Sequence, residues 1–390
     1  IIILVTGFTN MFGLGGAPLF SMALGQGNRE KAIDIQNTAL RLLVLVGAGI
    51  LLVGELLGDR ILLLFGATTG ELSLALPYLR IYLVGTIFIM VSTGMNAYIN
   101  AQGFPVIGMI SVTIGAASNL ILDPLFIFGW KLGVSGAAVA TVLSQFLSFL
   151  FVLSFLFGKK NELPVCFAWR FPYAGAIMSL GLAPFIMQVT NSLVQIACNS
   201  VLMRYGGAVF VSIMTIVSSV RSILDVPVMA ITDGASPSIS YNYGAGRPQN
   251  VRKAICVMMA LALPYTVAVW TLVMAVPQIF VRIFSEDAGI LEGASRALHL
   301  YFCAFVFQSF QYSGQTVFKA LNKKGNAIFF SLFRKVILVV PLTFLLPAAA
   351  GLGTDGVFIA EPVSNLIGGM ACFVTMLLTV LPELKRMAEK

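Results

Sequence analysis

Long apolar runs constrain this chain more than any other feature of its sequence. They recur in about eleven stretches, most of which reach or exceed the roughly 20 residues that a helix needs to cross a bilayer. The stretches lie at 1–24, 32–65, 72–100, 105–128, 133–157, 172–203, 208–242, 254–284, 296–318, 326–349 and 356–381. Charged residues make up only 10% of the chain, whereas a soluble domain carries about 25%. The runs are too continuous for barrel strands, so the sequence predicts an all-α integral membrane protein.

The positive charges indicate how this protein is oriented. The formal net charge is +8, and the basic residues concentrate in alternate loops: Arg29, Lys31, Lys159, Lys160, Arg170, Arg247, Arg252, Lys253, Lys319, Lys323, Lys324, Lys385, Arg386 and Lys390. Cytoplasmic loops of membrane proteins carry an excess of Lys and Arg, so we expect these loops and the C-terminus in the cytoplasm. The charge follows membrane topology, and no nucleic acid is expected as a partner.

The cysteines do not suggest a disulfide framework or a zinc site. The five are Cys166, Cys198, Cys256, Cys303 and Cys372. Most lie inside apolar stretches, and they have no paired spacing of the kind that metal sites or disulfide-rich domains show. We therefore expect no cofactor.

Three pairs of segments indicate an internal repeat. The segment "GQGNREKA" at 25–32 resembles "GAGRPQNVRKA" at 244–254, and "NAQGFPVIGM" at 100–109 resembles "KALNKKGNAI" at 319–328. A third pair is "LGVSGAAVAT" at 132–141 and "LGTDGVFIAE" at 352–361. The offset stays near 220 residues, and matched landmarks are separated by an even number of spans. These features predict parallel repeats, two pseudo-symmetric six-helix lobes of the kind found in some transporters.

The repeat also predicts the domain organisation. We expect an N-terminal lobe at 1–158, a cytoplasmic linker at 159–171 and a C-terminal lobe at 172–390. The second copy begins with the span at 171–207, and the first copy has no equivalent to it. One helix of the first lobe is therefore expected upstream of the given sequence, with six spans in each lobe of the longer protein.

Several motifs, in order along the chain, resemble those of the multidrug and toxic compound extrusion (MATE) family of cation-coupled efflux transporters. They are "GGAPLFSMALGQGNREKA", "GMNAYINAQGFPVIGM", "GAASNLILDPLFIFGWKLGVSGAAVAT", "SPSISYNYGAGRPQNVRKA" and "GVFIAEPVSNL". The sequence is most similar to the bacterial branch that includes the MepA and DinF types. The resemblance implies a bilobate helical bundle that alternates its access and exports compounds in exchange for protons or sodium ions.

The resemblance also implies a cation site in the N-terminal lobe. In DinF-like members this site uses an acid on the first helix, an Asn and an Asp four residues apart on the fifth, and a Thr on the sixth. Asn119, Asp123 and Thr141 match the last three positions. Other members use acids on the seventh and tenth helices, where this chain has none. A coupling site of that second kind is therefore not expected.

The chemistry of these residues fits a cation without selecting one. Asn119 and Asp123 share a helical face because they are four residues apart, and a bare carboxylate at bilayer depth costs several kcal/mol. Oxygen ligands from Asp, Asn and Thr suit a hard cation, and a carboxylate taken out of water can also accept a proton. Two structural alternatives stay open: Asp123 can cap a helix that restarts at Pro124, or it can pair permanently with a basic side chain.

Other intramembrane polar residues are candidates for a substrate cavity. Arg221 and Asp225 are expected to form an i,i+4 ion pair, although Asp225 is also a candidate cavity acid. A stripe of amides and two further glutamines complete the candidates: Gln188, Asn191, Gln195, Asn199, Gln308 and Gln311. Glu361 lies near a predicted span end, where we expect it to reach toward the interface.

The function indicated by these features is secondary active efflux of organic, often cationic, compounds coupled to H⁺ or Na⁺ antiport. The alternative within transport is a flippase for lipid-linked sugars, ranked second because few spans carry interior Arg or Lys. An integral-membrane enzyme is less favoured, since HExxH and GxSxG motifs are absent from the sequence. We expect a monomer in the bacterial inner membrane, with small-molecule substrates as its partners besides lipid.

Overall fold

The computed structural model describes residues 2–64, 69–158, 161, 163–166, 170–285, 287–349 and 351–389, and its regular elements are helices, as the apolar runs predict. They are α1 (Ile2–Gly25), α2 (Arg29–Leu64), α3 (Thr69–Val84), α4 (Thr86–Ala101), α5 (Pro105–Pro124), α6 (Gly133–Leu156), α7 (Ala174–Gly244), α8 (Pro248–Ala275), α9 (Pro277–Arg282), α10 (Ala288–Phe302), α11 (Phe307–Ala320), α12 (Lys324–Leu332), α13 (Val340–Ala349) and α14 (Thr354–Ala388). Two π-helical segments follow α5 and α12 directly, at Leu125–Gly129 and Phe333–Val339.

Helix α7 comprises two of the predicted spans. Its 71 residues would extend roughly 100 Å as one straight helix, about three times the thickness of the hydrocarbon core. The helix is broken at Gly207, where φ is 72° and ψ is −167°, a conformation that glycine adopts without steric cost. The two parts, 174–206 and 208–244, match the predicted stretches 172–203 and 208–242.

Two other predicted stretches are bent. Helices α3 and α4 meet at an angle of 46°, and α10 and α11 meet at 51°. Each pair together passes the length and hydropathy requirements for one membrane crossing. In the described part of the chain, eight single helices pass the same requirements. The prediction of a helical, multi-pass membrane protein is confirmed.

The sequence repeat is visible in how the helices end. The last turn of α1 closes with hydrogen bonds from Gly27 N to Leu24 O and from Asn28 N to Ala23 O. The last turn of α7 closes in the same way, with bonds from Gly246 N to Tyr243 O and from Arg247 N to Asn242 O. This is the Schellman arrangement, which needs a residue in the left-handed region. Gly27 (φ 73°) and Gly246 (φ 66°) provide it.

Two more matched pairs adopt left-handed backbone. Gly103 (φ 91°) ends α4, and Asn322 (φ 57°) ends α11 with the same two closing bonds. Gly133 (φ 57°) is the first residue of α6, and Gly353 (φ 54°) directly precedes α14. Each pair is separated by the offset of the sequence repeat, so the similar segments also share local conformation.

The chain divides into two compact units, Ile1–Phe185 and Ile186–Lys390. The predicted linker at 159–171 lies within the first unit, because its described residues bind α2. Asn37 Nδ2 donates to Pro164 O at 3.1 Å, and Cys166 N donates to Asn37 Oδ1 at 2.9 Å. Arg41 adds a bond to Cys166 O at 2.7 Å. Residues 159, 160, 162 and 167–169 of the predicted linker lie outside the described part of the chain.

The core of the first unit is built around α1 and α4. Phe12 and Tyr98 are almost completely buried, and the Tyr98 hydroxyl donates to Phe12 O at 2.8 Å. The start of α7 joins this core through small residues. A Cβ on Gly181 would lie 1.9 Å from Met11 O, and one on Gly15 would lie 2.4 Å from Gly181 Cα. Close backbone approach through glycines is the usual way for membrane helices to pack, and it explains why the unit extends to Phe185.

The second unit has its own core, which includes the buried side chains of Leu202, Val217, Phe302 and Phe358. Here α11 packs closely on α14. A Cβ on Gly369 would lie 2.6 Å from Phe307 O, so only a glycine permits this approach. This contact positions the polar residues of α11 beside those of α14.

Candidate functional site

The predicted cation residues lie at the end of α5 and in the first part of α6. Asn119 Nδ2 donates to Asp123 Oδ1 at 3.2 Å, as the four-residue spacing predicts. The Thr141 hydroxyl donates to Ala137 O of its own helix at 2.9 Å, which leaves the lone pairs of its oxygen available. Asp123 and Asn119 are both partly exposed. The carboxylate, amide and hydroxyl oxygens are ligands that fit a hard cation.

A cavity of about 260 Å³, which we call the N-terminal cavity, lies between α4, α5 and α6. Asn119 and Thr141 line it together with serines of α5 and α6, and Asp123 is not among the lining residues. The structure therefore brings two of the three predicted residues to one cavity. Asp123 lies one helical turn further along α5 and is connected to the cavity through its bond with Asn119.

The helix-capping alternative for Asp123 is wrong. Helix α5 continues through Asp123 to Pro124 and then into the π-helical segment, without a restart at the proline. The π-helical segment has no side-chain cap at its start. Among the ion pairs of the described residues, none includes Asp123. Its hydrogen-bond partner is the amide of Asn119.

The second unit contains a group of five buried charged side chains, which we call the ionic cluster: Arg221, Asp225, Arg334, Lys335 and Glu361. Each is at most 9% exposed. The predicted ion pair of α7 is present, with Arg221 Nε 3.2 Å from Asp225 Oδ2. One oxygen of Glu361 receives three cations. Its Oε1 lies 2.6 Å from Arg221 NH1, 3.0 Å from Arg334 NH1 and 2.9 Å from Lys335 Nζ.

The cluster corrects one expectation and adds two residues that the sequence did not single out. Glu361 was expected at the interface, but it is 3% exposed because three cations neutralise it inside the unit. Arg334 and Lys335 were not recognised as candidates. They are adjacent in the π-helical segment Phe333–Val339 and both are buried. A signal was present in the sequence, since two bases in the middle of the stretch at 326–349 are costly in a membrane unless they have partners.

Amides connect the charges of the cluster. Gln308 Nε2 donates to both oxygens of Asp225 at 2.9 Å. Its Oε1 accepts from Arg221 NH2 at 3.1 Å and from Asn365 Nδ2 at 3.3 Å. Gln308 is therefore a ligand of both members of the Arg221–Asp225 pair. Both oxygens of Asp225 already accept hydrogen bonds. In this conformation the carboxylate is therefore not free to bind a cationic substrate.

A cavity of about 180 Å³, which we call the C-terminal cavity, is lined by all five members of the ionic cluster. Two residues of the predicted amide stripe, Asn191 and Gln195, also line it. Gln195 accepts from Ser218 at 3.2 Å and donates to Asn199 at 3.3 Å. The remaining candidates, Gln188, Asn199, Gln308 and Gln311, are not among the lining residues.

Comparisons with known proteins agree with the motifs. A family model described as MatE matches residues 1–125 and 184–345. The multidrug export protein MepA of Staphylococcus aureus (strain MRSA252) is 24% identical over 354 residues, which cover 90% of this chain and 77% of MepA.

Solved structures share the fold. One is described as the outward-facing conformation of a multidrug resistance MATE family transporter; it aligns with a TM-score of 0.93 at 22% identity and covers 99% of this chain and 86% of that one. A second, a MOP superfamily transporter from Pyrococcus furiosus, aligns with a TM-score of 0.92 at 22% identity over 98% of this chain and 86% of that one. Its description states that the reverse polarity of its binding pocket suggests a different function. At these identities the alignments show that the fold is shared.

Proposed function

Since the chain belongs to the MatE family of transporters, we propose that it is a secondary active exporter of organic compounds. Its family consists of transporters and not enzymes, and its MepA relatives are named multidrug export proteins. In this proposal the protein alternates its access between the two sides of the membrane. Uptake of a proton or a sodium ion drives export.

The coupling proposal rests on the surroundings of Asp123. It is an acidic side chain on an apolar helix, and in the described part of the chain its hydrogen-bond partner is an amide and not a base. A carboxylate in that setting is stabilised by a proton or a cation. Asn119 and Thr141 supply two more oxygens, from the neighbouring turn of α5 and from α6. Binding and release of the ion at this group would couple the gradient to the change in access.

Transport in proteoliposomes tests this proposal. We expect Asp123→Asn to abolish export driven by an imposed proton or sodium gradient, because the amide can neither take up a proton nor neutralise a cation. The matched control is Asp34→Asn, which removes an exposed carboxylate from α2 and should transport like the wild type. The assay uses a panel of organic cations, with proton and sodium gradients imposed separately. Normal gradient-driven export by Asp123→Asn would overturn the coupling proposal.

The flippase alternative remains second. Arg221, Arg334 and Lys335 place three buried cations in the second unit, which is more interior positive charge than the flippase ranking assumed. Two carboxylates of the same cluster offset two of these charges, so the cavity lacks the dense positive charge that a pyrophosphate group would require. Movement of a fluorescent lipid-linked sugar across the vesicle membrane, without export of any organic cation, would favour this alternative.

Location and assembly complete the proposal. The basic loops support a protein in the bacterial inner membrane with a cytoplasmic C-terminus. We propose that the protein works as a monomer. Labelling of single cysteines introduced near residue 386 from either side of the membrane tests the orientation.

A further inference from the structure

The C-terminal cavity carries more positive than negative charge. Its charged lining residues in the described part of the chain are three cations, Arg221, Arg334 and Lys335, and two carboxylates, Asp225 and Glu361. With every group in its usual ionised form, one positive charge has no counterpart. Such a charge inside a membrane protein is costly. The charge is balanced by an anionic partner or is removed by loss of a proton from Lys335.

Both carboxylates of the cluster are already paired with its cations. Glu361 Oε1 is already shared by all three cations at 2.6–3.0 Å. Asp225 is engaged by Arg221 and by Gln308. The donors, by contrast, exceed the acceptors. Lys335 carries three N–H groups and Arg334 carries five. The acceptors that they contact among the described residues are Glu361 Oε1 for both and Asn365 Oδ1 for Arg334.

The cavity also has neutral donors and room for a ligand. Asn191, Gln195 and Ser218, all of α7, line it together with the charged residues of the cluster. Its volume of about 180 Å³ far exceeds the roughly 10–15 Å³ that a single water needs. An oxyanion would supply both the missing negative charge and the missing acceptors. Charge-assisted bonds to Arg and Lys are the stronger kind of hydrogen bond.

We propose that the C-terminal cavity binds the carboxylate, sulfonate or phosphate group of an organic anion, beside Lys335 and Arg334. This names a chemical group for the substrate and so rests on the proposed function. It differs from the expectation of mostly cationic substrates. Binding can be measured without transport, which separates the two proposals.

Two small compounds with the same ring and opposite permanent charges test the inference: benzenesulfonate and phenyltrimethylammonium. Their affinities are measured by isothermal titration calorimetry on the purified full chain in nanodiscs of zwitterionic lipid. We expect benzenesulfonate to bind at least tenfold more tightly than phenyltrimethylammonium. Equal affinities, or tighter binding of the cation, would overturn the inference.

The Lys335→Gln variant locates the site. Glu361 keeps two cationic partners in this variant, so the fold is retained. We expect benzenesulfonate affinity to fall about tenfold to a hundredfold, the usual effect of losing a hydrogen bond to a charged group, and to recover in Lys335→Arg. The matched control is Lys319→Gln, in which the lost lysine pairs with Asp233 and not with the cluster. Unchanged affinity in Lys335→Gln would refute the assignment to this cavity.

Two further measurements identify the source of the anionic group. If it is a lipid headgroup, phosphatidylglycerol should co-purify with the wild type and with Lys319→Gln but be reduced in Lys335→Gln. If it is a soluble compound, proteoliposomes should export benzenesulfonate. Export of organic cations without any anion binding would leave the proposed function standing and remove this inference alone.

Discussion

Replacing Glu361 with Gln should destabilise the second unit strongly. The substitution keeps the shape of the side chain but removes the charge that three cations share at 2.6–3.0 Å. Removing one partner of a buried ion pair costs about 3–5 kcal/mol, since the remaining charge stays buried without compensation. Because three cations lose their common partner here, we expect the upper part of that range. Asp225 would be the only acid left in the ionic cluster.

Thermal unfolding in detergent measures this effect. For a unit the size of 186–390, each kcal/mol lowers the Tm by about 2–4 °C, so the upper part of the range, about 4–5 kcal/mol, predicts a fall of about 8–20 °C. The apparent Tm values are compared at one scan rate, because unfolding of large proteins is often irreversible. The matched control is Glu383→Gln, which breaks a partly exposed pair with Lys323 at 2.5 Å and should cost no more than about 1 kcal/mol.

A double substitution separates charge from shape. Glu361→Gln combined with Lys335→Met returns the cluster to the wild-type excess of one positive charge. We therefore expect it to recover part of the lost stability, a coupling that is typical of residues in one network. If Glu361→Gln unfolds at the same temperature as Glu383→Gln, the charge balance described for the cluster is wrong.

Two predictions concern the first unit, and thermal unfolding measures both. Gly181→Ala should lower the Tm markedly, because the new Cβ would lie 1.9 Å from Met11 O, whereas Gly175→Ala, in the same helix, meets nothing within 4 Å and should not. Equal Tm values for these two variants would contradict the packing of α7 on α1. Tyr98→Phe should cost about 1 kcal/mol or more, since it leaves Phe12 O without the 2.8 Å bond from the hydroxyl; an unchanged Tm would mean that the bond contributes nothing.

The fold could be predicted because its signals are local and repeated. A crossing requires a long apolar run whatever the rest of the chain does, and the bounds of α5 and α6 follow the predicted runs closely. The matched glycine segments marked true helix ends, since Gly27 and Gly246 are needed for the left-handed turn that closes each helix. The sequence analysis listed 172–203 and 208–242 as separate stretches, and the break at Gly207 lies between them.

The ionic cluster could be predicted only in part. The Arg221–Asp225 pair followed from its spacing within one helix. The positions of Glu361 and Arg334 depended on partners from other helices, which no spacing within a helix can indicate. Glu361 was expected at the interface because it lies near the start of the predicted stretch 356–381, but its side chain is buried within the unit.

Asp123 illustrates how proline can mislead. The Asp-Pro pair is typical of a helix start in soluble proteins, and that reading gave the capping alternative. In a membrane helix a proline is tolerated within the span, since neighbouring groups and local π-helical adjustment compensate for the missing bond. The π-helical segment that begins at Leu125 is such an adjustment, and it leaves Asp123 inside the helix.

The Schellman turns at the ends of α1, α4, α7 and α11 affect how the chain assembles during synthesis. Each turn closes through bonds that span at most five residues, so each needs only a short piece of nascent chain. The first half can therefore set its own helix ends as it leaves the ribosome, before the second half has been translated. The same turn sequences then recur in the second half, so neither half needs the other to form the turns that end these helices.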